Sequence, residues 1–188
     1  MKSTLIIVSG FSCTGKTALA RKIGKNLSLP VFSRDDFKES LFNSLGYSDR
    51  EWSKKLGVAS YKLLYLAVEK LLGTSNSLIV ESNFKVEPDT EKLKRLKAIY
   101  QCSLIQIHCY VEIPLALARF KQRAESGKRH PGHVDHLNYE EMKHNFNKGG
   151  YEIVDICDLT IKVNTTNFKE IDYHNILNQT QSYLQIHL

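Results

Sequence analysis

Gly10-Phe11-Ser12-Cys13-Thr14-Gly15-Lys16-Thr17 is the stretch that decides the reading of this chain. It fits G-x-x-x-x-G-K-[ST] without a gap. A strand-like run, Leu5-Ile6-Ile7-Val8, leads into it, and a helical pattern with Leu19, Ile23 and Leu27 on one face leads out. Gly10 and Gly15 let the backbone curl until the amides of Ser12, Cys13 and Thr14 point into one concavity, at the positive end of the following helix. Lys16 brings a full charge to the outer phosphates, and Thr17 offers a hydroxyl to the Mg²⁺ that bridges them. The spacing implies a bound nucleoside triphosphate, with a chance glycine-rich turn as the competing reading. It is not G-x-G-x-x-G, which disfavours a dinucleotide site.

Outward from the loop, short apolar strands alternate with helical patterns: Pro30-Val31-Phe32, Leu78-Ile79-Val80, Leu104 to Tyr110 and Leu159 to Val163 complete five strands. This order predicts a three-layer α/β/α fold around a five-stranded parallel sheet. Ser48 and Glu51 have capping-box spacing before a long helix with Trp52, Leu56, Leu63, Ala67 and Leu71 on one side, stopped by Gly73. Further helices are expected over Pro88 to Tyr100 (Leu93, Leu96 and Ile99 inward), from Pro114, over Asn138 to Lys148, and from Phe168 onward. Between about Gln122 and Leu137 the periodicity gives way to Arg, Lys, His, Gly and Pro, which reads as a mobile, arginine-rich lid.

The 188 residues amount to one domain, 1–188, enough to bury roughly 70% of the extended surface. With 42% hydrophobic and 24% charged residues and no membrane-length apolar run, the expectation is a cytoplasmic protein with no leader and no membrane partner. Cys13, Cys102, Cys109 and Cys157 form no C-x-x-C pair, which fits reduced thiols; Cys13 is either a plain loop residue or a redox switch. The formal charge of +6 suits a polyanionic substrate without selecting nucleic acid.

Ligands of open parallel sheets gather beyond the carboxyl ends of the strands. After the second strand come Arg34, Asp35, Asp36 and Lys38; Asp35, with Asp36 second, is placed to take a proton from an attacking hydroxyl, or one of the two caps a helix. After the third come Glu81, a magnesium-side carboxylate or a solvated strand end, and Asn83. Arg119 and Arg123, one helical turn apart, and Arg129 are the lid cations expected to meet phosphate, though Arg119 could simply line the surface. His130, His133 and His136 lack the spacing of usual zinc sites and are expected to shape the lid or touch substrate.

These segments, with Glu81-Ser82-Asn83-Phe84 and Arg129-His130-Pro131-Gly132-His133, together resemble the bacterial P-loop kinases of the AAA-type group. That superfamily includes chloramphenicol phosphotransferase, zeta toxins, gluconate and shikimate kinases, and the kinase domain of phage polynucleotide kinase. The resemblance implies transfer of the γ-phosphoryl of ATP, with Mg²⁺, to a hydroxyl of a small molecule. Asp35 matches the polynucleotide-kinase base, but Lys38 stands where that family has an arginine, so a nucleic-acid 5′-hydroxyl is the alternative acceptor. A nucleotide-dependent switch is a further alternative. Guanine specificity is disfavoured, because Asn147-Lys148-Gly149-Gly150 lacks the aspartate of N-K-x-D.

Overall fold

The computed structural model describes residues 3–149 and 151–186, with only the backbone of residues 185 and 186. Gly150, residues 1 and 2, and the last two residues of the expected terminal helix and domain lie outside the described residues. Five parallel strands, β1 (Thr4–Ser9), β2 (Val31–Ser33), β3 (Leu78–Glu81), β4 (Ser103–Tyr110) and β5 (Leu159–Asn164), lie in the order β2-β3-β1-β4-β5.

The central strand β1 is buried along its whole length, and its side chains alternate between two cores. Leu5 and Ile7 pack with Leu78, Val80 and Leu104 under α3 (Arg50–Leu72) and α4 (Val86–Tyr100). On the other face Ile6 and Val8 pack with Ile79, Ile105 and Ile107 under α1 (Lys16–Leu27) and α7 (Tyr173–Ile186). The register aligns Val8 with Glu81 and Glu81 with Ser33, so the polar ends of three neighbouring strands form one row beside the phosphate loop.

The helices depart from expectation in their faces. In α3 the stripe is Leu56, Leu64, Val68 and Leu72, with Leu63 turned to solvent and Ala67 and Leu71 half-buried. Its cap is Asp49, not Ser48: Asp49 Oδ1 accepts from the Trp52 amide at 2.8 Å. In α4, Leu93 and Leu96 face inward, whereas Ile99 is exposed because the stripe continues through the half-buried Tyr100. The stretch after β2 is a full helix, α2 (Arg34–Leu45), which the sequence reading suggested only through the possible cap, and its cap is Ser33, not an aspartate. The expected terminal helix from Phe168 is a 3-10 turn, Phe168–Glu170, before α7.

The expected lid also differs. Its first residues, up to Glu125, belong to α5 (Ile113–Glu125), and the rest folds into two 3-10 turns, Pro131–His133 and Asp135–Leu137, before α6 (Tyr139–Lys148). The first turn packs on α2. A Cβ on Gly132 would lie 2.6 Å from the Phe42 ring, and Phe42 stacks on His130 at 5.1 Å.

Candidate active site

The loop between β1 and α1 takes its shape from backbone only certain residues permit. Gly10 has φ +124°, and a Cβ there would fall 1.9 Å from the Cys109 carbonyl oxygen of β4. Gly15, at φ +78°, precedes α1 and approaches Phe168, whose Cε1 would lie 2.6 Å from an added Cβ. Thr14 Oγ1 donates to the Phe11 carbonyl at 2.9 Å, and Lys16 Nζ donates to the same oxygen at 2.5 Å. Both thus stabilise the loop from within, and Lys16 is 4% exposed.

Glu81 joins the strand ends to this loop. Its Oε2 accepts from Thr17 Oγ1 at 3.0 Å and from Ser33 Oγ at 2.7 Å, while Oε1 lies 4.0 Å from Lys16 Nζ. At 6% exposure Glu81 is not a solvated strand end. Burial lowers the Lys16 pKa and the Glu81 carboxylate opposes that shift. A hydroxyl and a carboxylate converging beside a buried ammonium are hard oxygen donors that fit a magnesium–polyphosphate pair. Among the described residues no three His, Cys, Asp or Glu side chains gather as a metal cluster, His130, His133 and His136 included.

Over the loop opens a cleft of about 390 Å³ whose wall brings together Ser12, Cys13, Lys16, Thr17, Glu81 and Asn83 with Asp35 and four arginines, Arg34, Arg119, Arg123 and Arg129. Asn83 Nδ2 donates to Ser12 Oγ at 2.9 Å. Arg119 donates to the carbonyls of Thr165 and Thr166, both at 2.9 Å, and stacks 4.2 Å over the Phe168 ring. Asp135 gathers Arg123 at 3.1 Å and Arg129 at 2.9 Å; the other Arg129 nitrogen reaches Asp35 Oδ2 at 2.5 Å. Buried guanidinium nitrogens of Arg34, Arg119 and Arg123 have no hydrogen-bond acceptor, so the cleft is short of anionic oxygens.

Burial alone would raise the Asp35 pKa, but Arg129, Arg34, His133 and Lys16 together hold the carboxyl well below its ordinary range. His133 is 4% exposed, its Nε2 lies 3.0 Å from Glu39 Oε1, and burial with the Arg129 charge pushes its pKa down to about 2. Burial pushes the Cys13 thiol up against the pull of Arg123 and Lys16, which disfavours the reactive thiolate. Asp36 stands apart from the cleft and pairs with Arg21 at 2.8 Å on the surface. Lys38 and His133 line a neighbouring cleft.

Sequence reasoning overlooked Ser33, Asp135 and Phe168. Ser33 and Phe168 follow strands and could have been found by the rule that picked Glu81. Asp135 carried no signal, because its approach to Arg129 depends on the 3-10 turns.

A phosphate loop at the carboxyl edge of a β2-β3-β1-β4-β5 parallel sheet, with arginines ringing the cleft above it, defines a P-loop protein of the kinase-like type. The chain belongs to the AAA domain family, which it matches over residues 5–148. A putative kinase from Chloroflexus aurantiacus J-10-fl is 34% identical, with 97% of this chain and 98% of that one covered and a TM-score of 0.86. A gluconokinase from Sinorhizobium meliloti 1021 (13% identity, 99% and 97% covered, TM-score 0.57) shares the fold. So does Chaetomium thermophilum Kti12 in complex with ADP-AlF3 (15% identity, 95% and 97% covered, TM-score 0.64). No curated protein matches the sequence. Among the described residues, no helix is long and apolar enough to cross a membrane.

Proposed function

We propose that residues 1–188 form one kinase domain that transfers the γ-phosphoryl of ATP to a hydroxyl of a small molecule. The observation that carries this reading is the single cleft where Lys16, Thr17 and Glu81 meet Asp35 and the arginines. A passive nucleotide binder has no need of a carboxylate facing the loop. The kinase character of the Chloroflexus relative and the ADP-AlF3 carried by the Kti12 structure support nucleotide chemistry.

Lys16 and the loop amides hold the polyphosphate, and Thr17 and Glu81 would hold Mg²⁺. That ion, when bound, neutralises charge between the outer phosphates. Asp35 orients the acceptor hydroxyl and takes its proton as the new oxygen–phosphorus bond forms and ADP leaves. Arg123 and Arg129, on the segment we read as a lid, meet the charge spread over the moving oxygens, and Arg119 lies by the nucleotide. The four cysteines are free thiols, which supports a cytoplasmic setting.

The test is transfer of label from [γ-³²P]ATP in a screen of hydroxyl-bearing compounds. Lys16→Ala is expected to lower the rate by about 10²–10³, and normal transfer by that variant would overturn the assignment. A polynucleotide 5′-hydroxyl acceptor is favoured by the cationic residues beside Lys38. It requires oligonucleotide binding that weakens steeply with salt.

A further inference from the structure

Beside the nucleotide cleft lies a second one of about 230 Å³, which shares Ser12, Arg34, Asn83 and Arg129 with it. One side of it carries Lys38, Arg50 and Lys85; the opposite side is aromatic, with the Phe11 ring 4.8 Å from both Phe146 and Tyr151.

Lys38 is the unusual member. It is 6% exposed, and its Nζ donates to Ser53 Oγ at 3.0 Å. Among the described residues no carboxylate lies within ion-pair distance of it. The acids nearby are engaged elsewhere: Asp35 and Asp135 by Arg129, and Glu141 by Arg50 at 2.6 Å. One helical turn before Lys38, Arg34 keeps a buried Nε with no acceptor. Burial and the Arg34 charge lower the Lys38 pKa to about 8. A buried ammonium with only a hydroxyl for company, beside a guanidinium lacking an acceptor, is an unfavourable arrangement that an anion between them would relieve.

We propose that this second cleft binds an anionic group of the acceptor, a carboxylate or a phosphomonoester, through Lys38 and Arg34, with the acceptor's carbon frame against the Phe11–Tyr151 wall. The acceptor class is therefore a small hydroxy acid or a phosphorylated polyol, not a neutral alcohol. This deepens the kinase reading and rests on it for the word acceptor. Rejection of neutral compounds follows from physics: a neutral group in the same place leaves the Lys38 charge uncompensated.

The experiment fills the phosphate loop with a non-hydrolysable ATP analogue and Mg²⁺, then titrates gluconate, glucose 6-phosphate and glucose by calorimetry. Trp52, the chain's single tryptophan and next to Ser53, provides a fluorescence readout. At least one of the two anions is expected to bind tenfold or more tightly than glucose, and which one does tells carboxylate from phosphomonoester. Lys38→Met, which keeps the length of the stem, is expected to erase that preference, and Lys38→Arg to restore most of it. Affinity for the analogue should stay unchanged and Lys38→Met should melt no lower than the wild type. Anions that bind no better than glucose, a preference that survives Lys38→Met, or tighter binding of a 5′-hydroxyl oligonucleotide than of either anion would overturn the proposal. No turnover enters this measurement, so its result is separate from that of Lys16→Ala: anion binding without phosphoryl transfer would retire the kinase reading and leave the anion cleft standing.

Discussion

Replacing Arg129 with methionine probes stability and catalysis together. The side chain is 17% exposed and bridges two carboxylates, Asp135 at 3.2 and 2.9 Å and Asp35 at 2.5 Å. Removing one partner of a buried ion pair costs about 3–5 kcal/mol. Here Asp135 keeps Arg123 at 3.1 Å, and Asp35 is 35% exposed and keeps Arg34 at 3.9 Å, so solvent and the remaining cations absorb part of that. A loss of about 2 kcal/mol remains, which lowers Tm by about 4–8 °C for a chain of this size. Asp35 sets the pH dependence. Its folded pKa lies below the ordinary 3.8, so its stabilising contribution is present above about pH 4 and fades as acid protonates it. The gap between wild type and Arg129→Met should therefore narrow below pH 4. In the transfer assay the variant should lose about 10²–10³ in kcat with a smaller change in the KM for ATP. Calorimetric melts from pH 3 to 7 and single-turnover label transfer measure both quantities. Wild-type melting together with wild-type kcat would refute the reasoning, because neither the ion-pair role nor the phosphate role would survive.

Gly10→Ala should abolish nucleotide binding and cost about 1–3 kcal/mol, since φ +124° is strained for alanine and its Cβ would meet the Cys109 carbonyl at 1.9 Å; equilibrium dialysis with ATP checks it. Glu81→Gln keeps the shape but removes the charge facing Thr17, Ser33 and Lys16, and should raise the Mg²⁺ concentration for half-maximal transfer about 10–100-fold. Because the buried His133 stays neutral down to about pH 2, the unfolded chain takes up a proton below about pH 6.5 that the folded one refuses, and stability falls with acid. His133→Gln should flatten that part of the stability–pH curve in urea titrations.

The parts of the fold read correctly from sequence are those where one local signal has one outcome. The strands on both sides of the phosphate loop are runs of apolar residues buried on both faces, and their order with the intervening helices leaves few topologies. The helix faces were harder. In α3 the doublets Leu63-Leu64 and Leu71-Leu72 each offer two apolar choices about 100° apart, and only packing against β3 and α4 selects Leu64 and Leu72. The same angle separates Asp35 from Asp36: adjacent helical residues cannot share a face, so the helix that begins at Arg34 sends Asp35 to the cleft and Asp36 to Arg21. Arg129 is legible as a cation near the site, but its bond to Asp35 joins residues 94 apart and needs the 3-10 turn seated on Phe42. Nothing local in the sequence encodes that distance.

The distribution of charge ties these features to the proposed chemistry. Each acid of the cleft is already held: Glu81 by two hydroxyls, Asp135 by two arginines and Asp35 by Arg129. The surplus lies on the cationic side, in guanidinium nitrogens without acceptors and in Lys38 without an acid. A polyphosphate entering the cleft competes with Asp35 for Arg129, and every step of that exchange frees the Asp35 carboxylate toward the acceptor side. On the kinase reading, the proton acceptor becomes available because the donor has arrived. Arg129→Met should then uncouple the two events, leaving Asp35 exposed to solvent protons whether or not nucleotide is bound. The Asp35 pKa, followed by carboxyl NMR, should rise in that variant and stop responding to the ATP analogue; a carboxyl that titrates identically in wild type and variant would show that Arg129 has no part in holding the base.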